Sequence, residues 1–86
     1  MSSEQNIDIT VVVSGQAERL KINVHQTLEQ LVRDALQRSG NQGQPPSDWE
    51  LRTENGTLLN QSLTVAAAGL KDGMTLFLSP KAGAGG

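Results

Sequence analysis

"TLEQLVRDALQRSG", residues 27–40, is the stretch whose reading decides the fold. Thr27 followed three residues later by Gln30 is a capping-box pattern, in which the two side chains satisfy backbone N–H groups that a first helical turn leaves unpaired. Leu28, Leu31, Val32, Ala35 and Leu36 recur at helical spacing and form one apolar stripe. Gly40 supplies the left-handed conformation in which helices commonly end. A helix with a single apolar stripe needs one partner layer, and the flanking sequence has the period of strands.

Upstream, "IDITVVV" places Ile7, Ile9, Val11 and Val13 on one face at period two. "SGQAE" carries turn chemistry, and "RLKINV" resumes the alternation with Leu20, Ile22 and Val24 inward, so the pair reads as a β-hairpin. Downstream, "NQGQPPSD" is a loop. Pro45 and Pro46 fix φ and lack N–H donors, which predicts that neither a helix nor a central strand includes them. "WELRT" puts Trp49 and Leu51 on one side. Asn55-Gly56 is a hairpin signal, and "TLLN" is expected to return as a short strand. "QSLTVAAAGL" reads as a short helical turn anchored by Leu63 and Leu70. After Asp72-Gly73, "MTLFLS" is the last strand, with Leu76 and Leu78 inward and Phe77 outward. The expected architecture is α+β: a mixed sheet of four to five strands packed on one helix. Residues 7–79 form the domain, 1–6 a disordered N-terminus and 80–86 a flexible tail.

Composition narrows the function classes. Eighty-six residues allow one small domain. A net charge of −2 gives no electrostatic case for nucleic acid or an anionic membrane. The absence of cysteine excludes disulfides, thiol catalysis and thiolate metal sites. "MSSEQNIDI" lacks the basic and apolar regions of a signal peptide, and no apolar run is long enough to span a membrane, so the expected location is cytoplasmic and the expected state monomeric. His25 is the one histidine and sits at a strand end, which argues against a metal site. Ser14, Ser39 and Ser62 read as turn or cap residues. Asp34 and Asp72 fall on different elements, so no carboxylate pair forms. "SGQAE" lacks the Gly/Lys spacing of a phosphate loop. No intrinsic enzyme emerges and no bound cofactor is implied.

Taken together, the hairpin, the Thr-capped helix, the Pro-Pro loop, the last strand and the Gly-Gly end resemble ubiquitin and its β-grasp relatives. "TLEQLVRDAL" resembles the ubiquitin helix, "GQPPSDWEL" the loop into the third strand, and "GLKDGMTLFL" the segment entering the fifth. More narrowly, "GQPPSDWELRTENG" with a terminal "KAGAGG" resembles the bacterial ubiquitin-like proteins that work with an activating enzyme, a conjugating enzyme and a deconjugating metallopeptidase. This resemblance implies a protein modifier joined to target proteins, with a role in antiphage defence or stress response. Two other readings share the fold: a sulfur carrier ending in a thiocarboxylate, and an interaction module with an inert tail.

The modifier reading concentrates on the tail. The seven residues from Pro80 to Gly86 extend at most about 23–25 Å. Gly83, Gly85 and Gly86 have no side chain, so the backbone can thread a narrow channel and approach a nucleotide. Gly85 and Gly86 are the conjugation residues, with ATP used by the partner activating enzyme. Lys81, Ala82, Gly83 and Ala84 replace the arginine-bearing tail of ubiquitin, which points to dedicated partner enzymes. Where ubiquitin centres its binding face on an exposed isoleucine, this chain has Arg52. Phe77, Arg52 and Val12 therefore make a candidate partner surface; the alternative places Phe77 under the tail or a loop. Of the lysines Lys21, Lys71 and Lys81, none occupies the second-hairpin position that ubiquitin uses most for chains, where Thr57 lies nearest.

Overall fold

A computed structural model describes residues 5–41 and 43–81. Its elements are β1 (Asn6–Val13), β2 (Gln16–Asn23), α1 (Leu28–Arg38), a 3-10 turn (Pro46–Asp48), β3 (Trp49–Thr53) and β4 (Thr75–Pro80). The four strands form one mixed sheet in the order β2-β1-β4-β3. β1 pairs antiparallel with β2 and parallel with β4, and β4 pairs antiparallel with β3.

The capping box closes as the sequence predicts. The Thr27 hydroxyl accepts from the Gln30 N–H at 3.3 Å, and Gln30 Oε1 accepts from the Thr27 N–H at 3.1 Å. Beyond the other end, Gly40 has φ +85°, and the Asn41 N–H donates back to the Leu36 carbonyl at 2.7 Å. Between these stops, all five residues of the stripe are buried. They cover the inner face of the sheet, where Ile9, Val11, Leu51 and Leu76 are fully buried. Every buried residue in this core is apolar, so little directional bonding constrains it and shape complementarity sets the packing.

Four local expectations are corrected. Pro46 does enter a helix, as the first residue of the 3-10 turn, where its missing N–H costs nothing because first-turn N–H groups have no intrahelical acceptor. "TLLN" does not form a strand. Pairing with β3 is limited to one bridge, Arg52 to Leu58, flanked by Thr53 N–H to Thr57 carbonyl and Leu59 N–H to Leu51 carbonyl. Asn60 ends it by accepting from both the N–H and the hydroxyl of Ser62, which turns the chain away. The segment "QSLTVAAAGL" is a series of turns, with one bond of helical spacing from the Ala68 N–H to the Thr64 carbonyl. Its anchors are Val65 and Leu70 rather than Leu63, which is exposed. The cause is backbone pairing across to the start of α1, since the Leu28 N–H donates to the Leu63 carbonyl and the Val65 N–H to the Gln26 carbonyl. Those bonds commit Val65 to the interior.

The ends of the sheet also run past the expected boundaries. β1 starts at Asn6, and the Gln5 carbonyl accepts from the Val24 N–H at 2.7 Å. β4 includes Pro80, opposite Trp49, and the Lys81 N–H donates to the Asp48 carbonyl at 2.8 Å. Proline ends its own donation to the ladder but not the course of the strand, because the next residue supplies the bond.

Thr27→Ala removes the side-chain half of the capping box and is expected to cost about 1 kcal/mol. Leu76→Ala opens a cavity in the middle of the core and is expected to cost about 2–5 kcal/mol. Urea unfolding of the two variants against the parent chain reads both values, and a Thr27→Ala cost of zero would show that the cap is not holding the helix.

Candidate functional site

Two surfaces bear on the predicted site. On the outer face of the sheet, the strand registers place a row of side chains at one level. Ala17 on β2 stands opposite Val12, Val12 beside Phe77, Phe77 opposite Arg52, and Arg52 bridges to Leu58. Period-two alternation puts these on the face away from α1, because their neighbours Val11, Val13, Leu51, Leu76 and Leu78 are buried beneath it. Phe77 is 42% exposed, which removes the alternative of its lying under a loop. The predicted trio of Phe77, Arg52 and Val12 is thus brought together. Arg52 is held along its own strand by Glu50, with nitrogen and oxygen 3.1 Å apart.

Leu58, 55% exposed, joins this row and was not among the predicted residues. Counting across a two-residue Asn55-Gly56 turn would set residue 59 opposite residue 52. The observed loop is one residue longer, with the Thr53 N–H bonded to the Thr57 carbonyl, so the turn signal alone did not point to Leu58. With Phe77 and Leu63 it is one of three large exposed apolar side chains among the described residues. Two of those three flank Arg52.

The second surface lies where β4 ends. Lys81 is exposed and borders a cleft of about 650 Å³ that runs between the proline loop, the start of β3, the segment after the Gly56 turn and α1. Pro46, Trp49 and Leu59 give it an apolar lining, and Arg33 borders it from the helix. Arg33 is ion-paired to Glu29 at 3.1 Å, one helical turn earlier. Ala82, Gly83, Ala84, Gly85 and Gly86 lie outside the described residues. No group of three or more His, Asp or Glu side chains among the described residues is arranged to hold a metal ion. No described helix is long and apolar enough to cross a membrane.

The chain matches the family described as "Protein of Unknown function (DUF2604)" over residues 2–86. It belongs to the DUF2604 family. A curated relative, "Uncharacterized protein y4jI" of Sinorhizobium fredii, is 40% identical over 80 residues, which are 93% of this chain and 62% of the relative. The chain therefore spans somewhat less than two thirds of that protein. Among solved structures, a designed protein based on ubiquitin has a TM-score of 0.78 at 20% identity, covering 92% of this chain and 93% of its own. The ubiquitin of Caldiarchaeum subterraneum has a TM-score of 0.73 at 19% identity, covering 88% and 94%. This DUF2604 chain has the ubiquitin-like β-grasp fold, a mixed four-stranded sheet packed on one helix.

Because Phe77 and Leu58 sit on the solvent face, truncating either is expected to cost little stability. Phe77→Ala should cost no more than about 1 kcal/mol, the scale of its cross-strand contacts with Val12 and Arg52. Thermal unfolding of Phe77→Ala and Leu58→Ala checks this, and a loss as large as that of Leu76→Ala would place the ring in the core.

Proposed function

We propose that this protein is a ubiquitin-like modifier whose Gly86 carboxylate is activated and joined to target proteins by dedicated partner enzymes. The observation that carries the reading is the placement of β4. Strand β4 is held between β1 and β3, and sheet bonding continues to Lys81, from which the small-residue segment "AGAGG" leads to Gly86. A rigid domain thereby presents a segment that no side chain larger than a methyl group obstructs.

The chemistry assigns no catalytic residue to this chain. A carboxylate oxygen of Gly86 attacks the α-phosphorus of ATP on the activating enzyme, and the bond to the leaving pyrophosphate breaks. An enzyme nucleophile then attacks the acyl carbon of the resulting adenylate, and AMP leaves. Finally a target amine or hydroxyl takes the acyl group, gives up its proton and frees the enzyme nucleophile. A deconjugating metallopeptidase reverses the last bond by hydrolysis. The row from Val12 to Leu58 serves as the surface by which the partner enzymes recognise the domain, with Lys81 and the alanines identifying the tail. Antiphage defence is the setting that the resemblance to bacterial systems favours.

The exposed row also suits an interaction module that needs no tail, and one experiment separates the two. Purified chain is incubated with ATP and candidate activating and conjugating enzymes from its own host, with and without a sulfur donor, and adducts are followed by intact mass. Deletion of Gly85 and Gly86 is expected to abolish every ATP-dependent adduct while leaving the unfolding midpoint unchanged. An adduct that survives the deletion would overturn the donor reading, and an exchange of carboxylate oxygen for sulfur in place of an adduct would make the protein a sulfur carrier.

A further inference from the structure

The sheet has two edges, β3 and β2, and the chain treats them differently. At β3 the outward backbone is occupied. The Leu51 carbonyl accepts from the Leu59 N–H, the Thr53 N–H donates to the Thr57 carbonyl, and the Trp49 carbonyl accepts from Gln61 Nε2.

At β2 it is not. The bond from the Val24 N–H to the Gln5 carbonyl fixes the alternation of the β1–β2 ladder. Even-numbered residues of β2 therefore bond to β1, and odd-numbered ones turn their N–H and carbonyl groups outward. Asn23 uses both of its groups on Gln26, donating to Oε1 at 2.9 Å and accepting from the N–H at 3.0 Å. Ala17, Arg19 and Lys21 are exposed, and their outward groups have no partner among the described residues. We propose that this edge docks an acidic, extended peptide segment of a partner protein, which joins the sheet as an added strand beside β2.

The main chain supplies attachment and the side chains choose the occupant. The side chains of Arg19 and Lys21 stand on the outer face of the sheet, because Leu20 and Ile22 between and beside them are buried on the inner one. Arg19 faces no carboxylate within ion-pair distance among the described residues. Lys21 lies 3.4 Å from Asp8, but both side chains are largely exposed, and such a surface pair holds its lysine weakly. Carboxylates at alternate positions of an added strand would come opposite or diagonal to both cations.

The same charges exclude a second copy of this chain. In a two-fold antiparallel pairing of β2 with itself, outward residues must oppose outward residues. Centring the axis on Glu18, Arg19 or Lys21 sets that charge against its own counterpart. Centring it on Leu20 sets Arg19 against Lys21 on both sides. Like charges directly opposite destabilise a strand pair, so the cations that bar a copy are the ones that select an acidic strand. Neither Gly86 nor the segment leading to it enters this inference, which stands or falls apart from the donor reading.

The isotope-labelled full chain is titrated with two blocked heptapeptides, TDVDVDT and TKVKVKT, and hydrogen exchange is followed at each backbone amide. With TDVDVDT at about ten times its Kd, exchange at Ala17, Arg19 and Lys21 is expected to slow about tenfold. TKVKVKT is expected to leave those amides unprotected. Arg19→Glu is expected to weaken TDVDVDT binding several-fold. Arg19→Pro removes an outward N–H that β1 does not use, and is expected to abolish protection in a chain that still folds. Arg19→Glu carries the test alone if the proline variant unfolds. Absence of protection up to millimolar peptide, equal protection by both peptides, or protection that Arg19→Glu leaves intact would overturn the inference. Protection of the same amides that grows with chain concentration in the absence of peptide would also overturn it, by making a second copy the occupant.

Discussion

Strand β4 enters the sheet between the first and third strands, parallel to one and antiparallel to the other, and most of the fold depends on its doing so. The pairs Val11–Leu76 and Leu51–Leu78 bring the two ends of the chain and its middle into one layer beneath α1. Until β4 inserts, the β1–β2 hairpin and β3 have no common edge, and the stripe of α1 has only part of a sheet to cover. Such long-range pairing is entropically late, since a large loop must close before any contact rewards it. The Asp8 backbone is gripped from both sides by the turn before β4. Its N–H donates to Asp72 Oδ1 and its carbonyl accepts from the Gly73 N–H, each at 2.8 Å, which sets the register at the point of insertion.

The same insertion creates the outer row of side chains and the cleft beside Lys81. Because Leu76 and Leu78 must face the helix, Phe77 must face solvent, and its neighbours in the register are then Val12 and Arg52. Because β4 lies against β3, the chain leaves the sheet beside the residues that open β3, at the rim of the cleft. Core packing, the exposed row and the exit of the C-terminal segment are thus three consequences of one strand placement. Under the proposed function, partner recognition would draw on side chains the core does not constrain, such as Arg52 with its Glu50 partner, Leu58 and Lys81.

Much of this was legible in the sequence because it depends on local chemistry. The Thr27–Gln30 cap, the α1 stripe, the alternation of β1 and β3 and the outward direction of Phe77 each follow from a spacing of two, three or four residues. What was not legible depends on contacts between distant segments. Val65 became an anchor in place of Leu63 because residues 63–65 pair with the backbone at Gln26 and Leu28, which no pattern within "QSLTVAAAGL" reveals. Leu58 keeps only a single bridge to β3 because the chain turns away at Asn60, whose side-chain Oδ1 accepts from the Ser62 N–H and hydroxyl. Pro46 was read by the general rule against proline in helices, whereas its position at a helix start is where that rule relaxes. Arg33 could be read only as an exposed helical charge, since its place on the border of the cleft depends on the packing of α1 over the proline loop.

The central claim is that Gly86 ends up covalently bound to other proteins. It is tested most directly by peptide mass spectrometry of the protein's host after tryptic digestion. Trypsin cleaves after Lys81, so a conjugated target is expected to yield lysine-containing peptides bearing the branch Ala-Gly-Ala-Gly-Gly, or the equivalent ester on a hydroxyl side chain. Recovery of "AGAGG" only as a free carboxylate, or only as a thiocarboxylate, under conditions in which the partner enzymes are expressed and active would contradict the account.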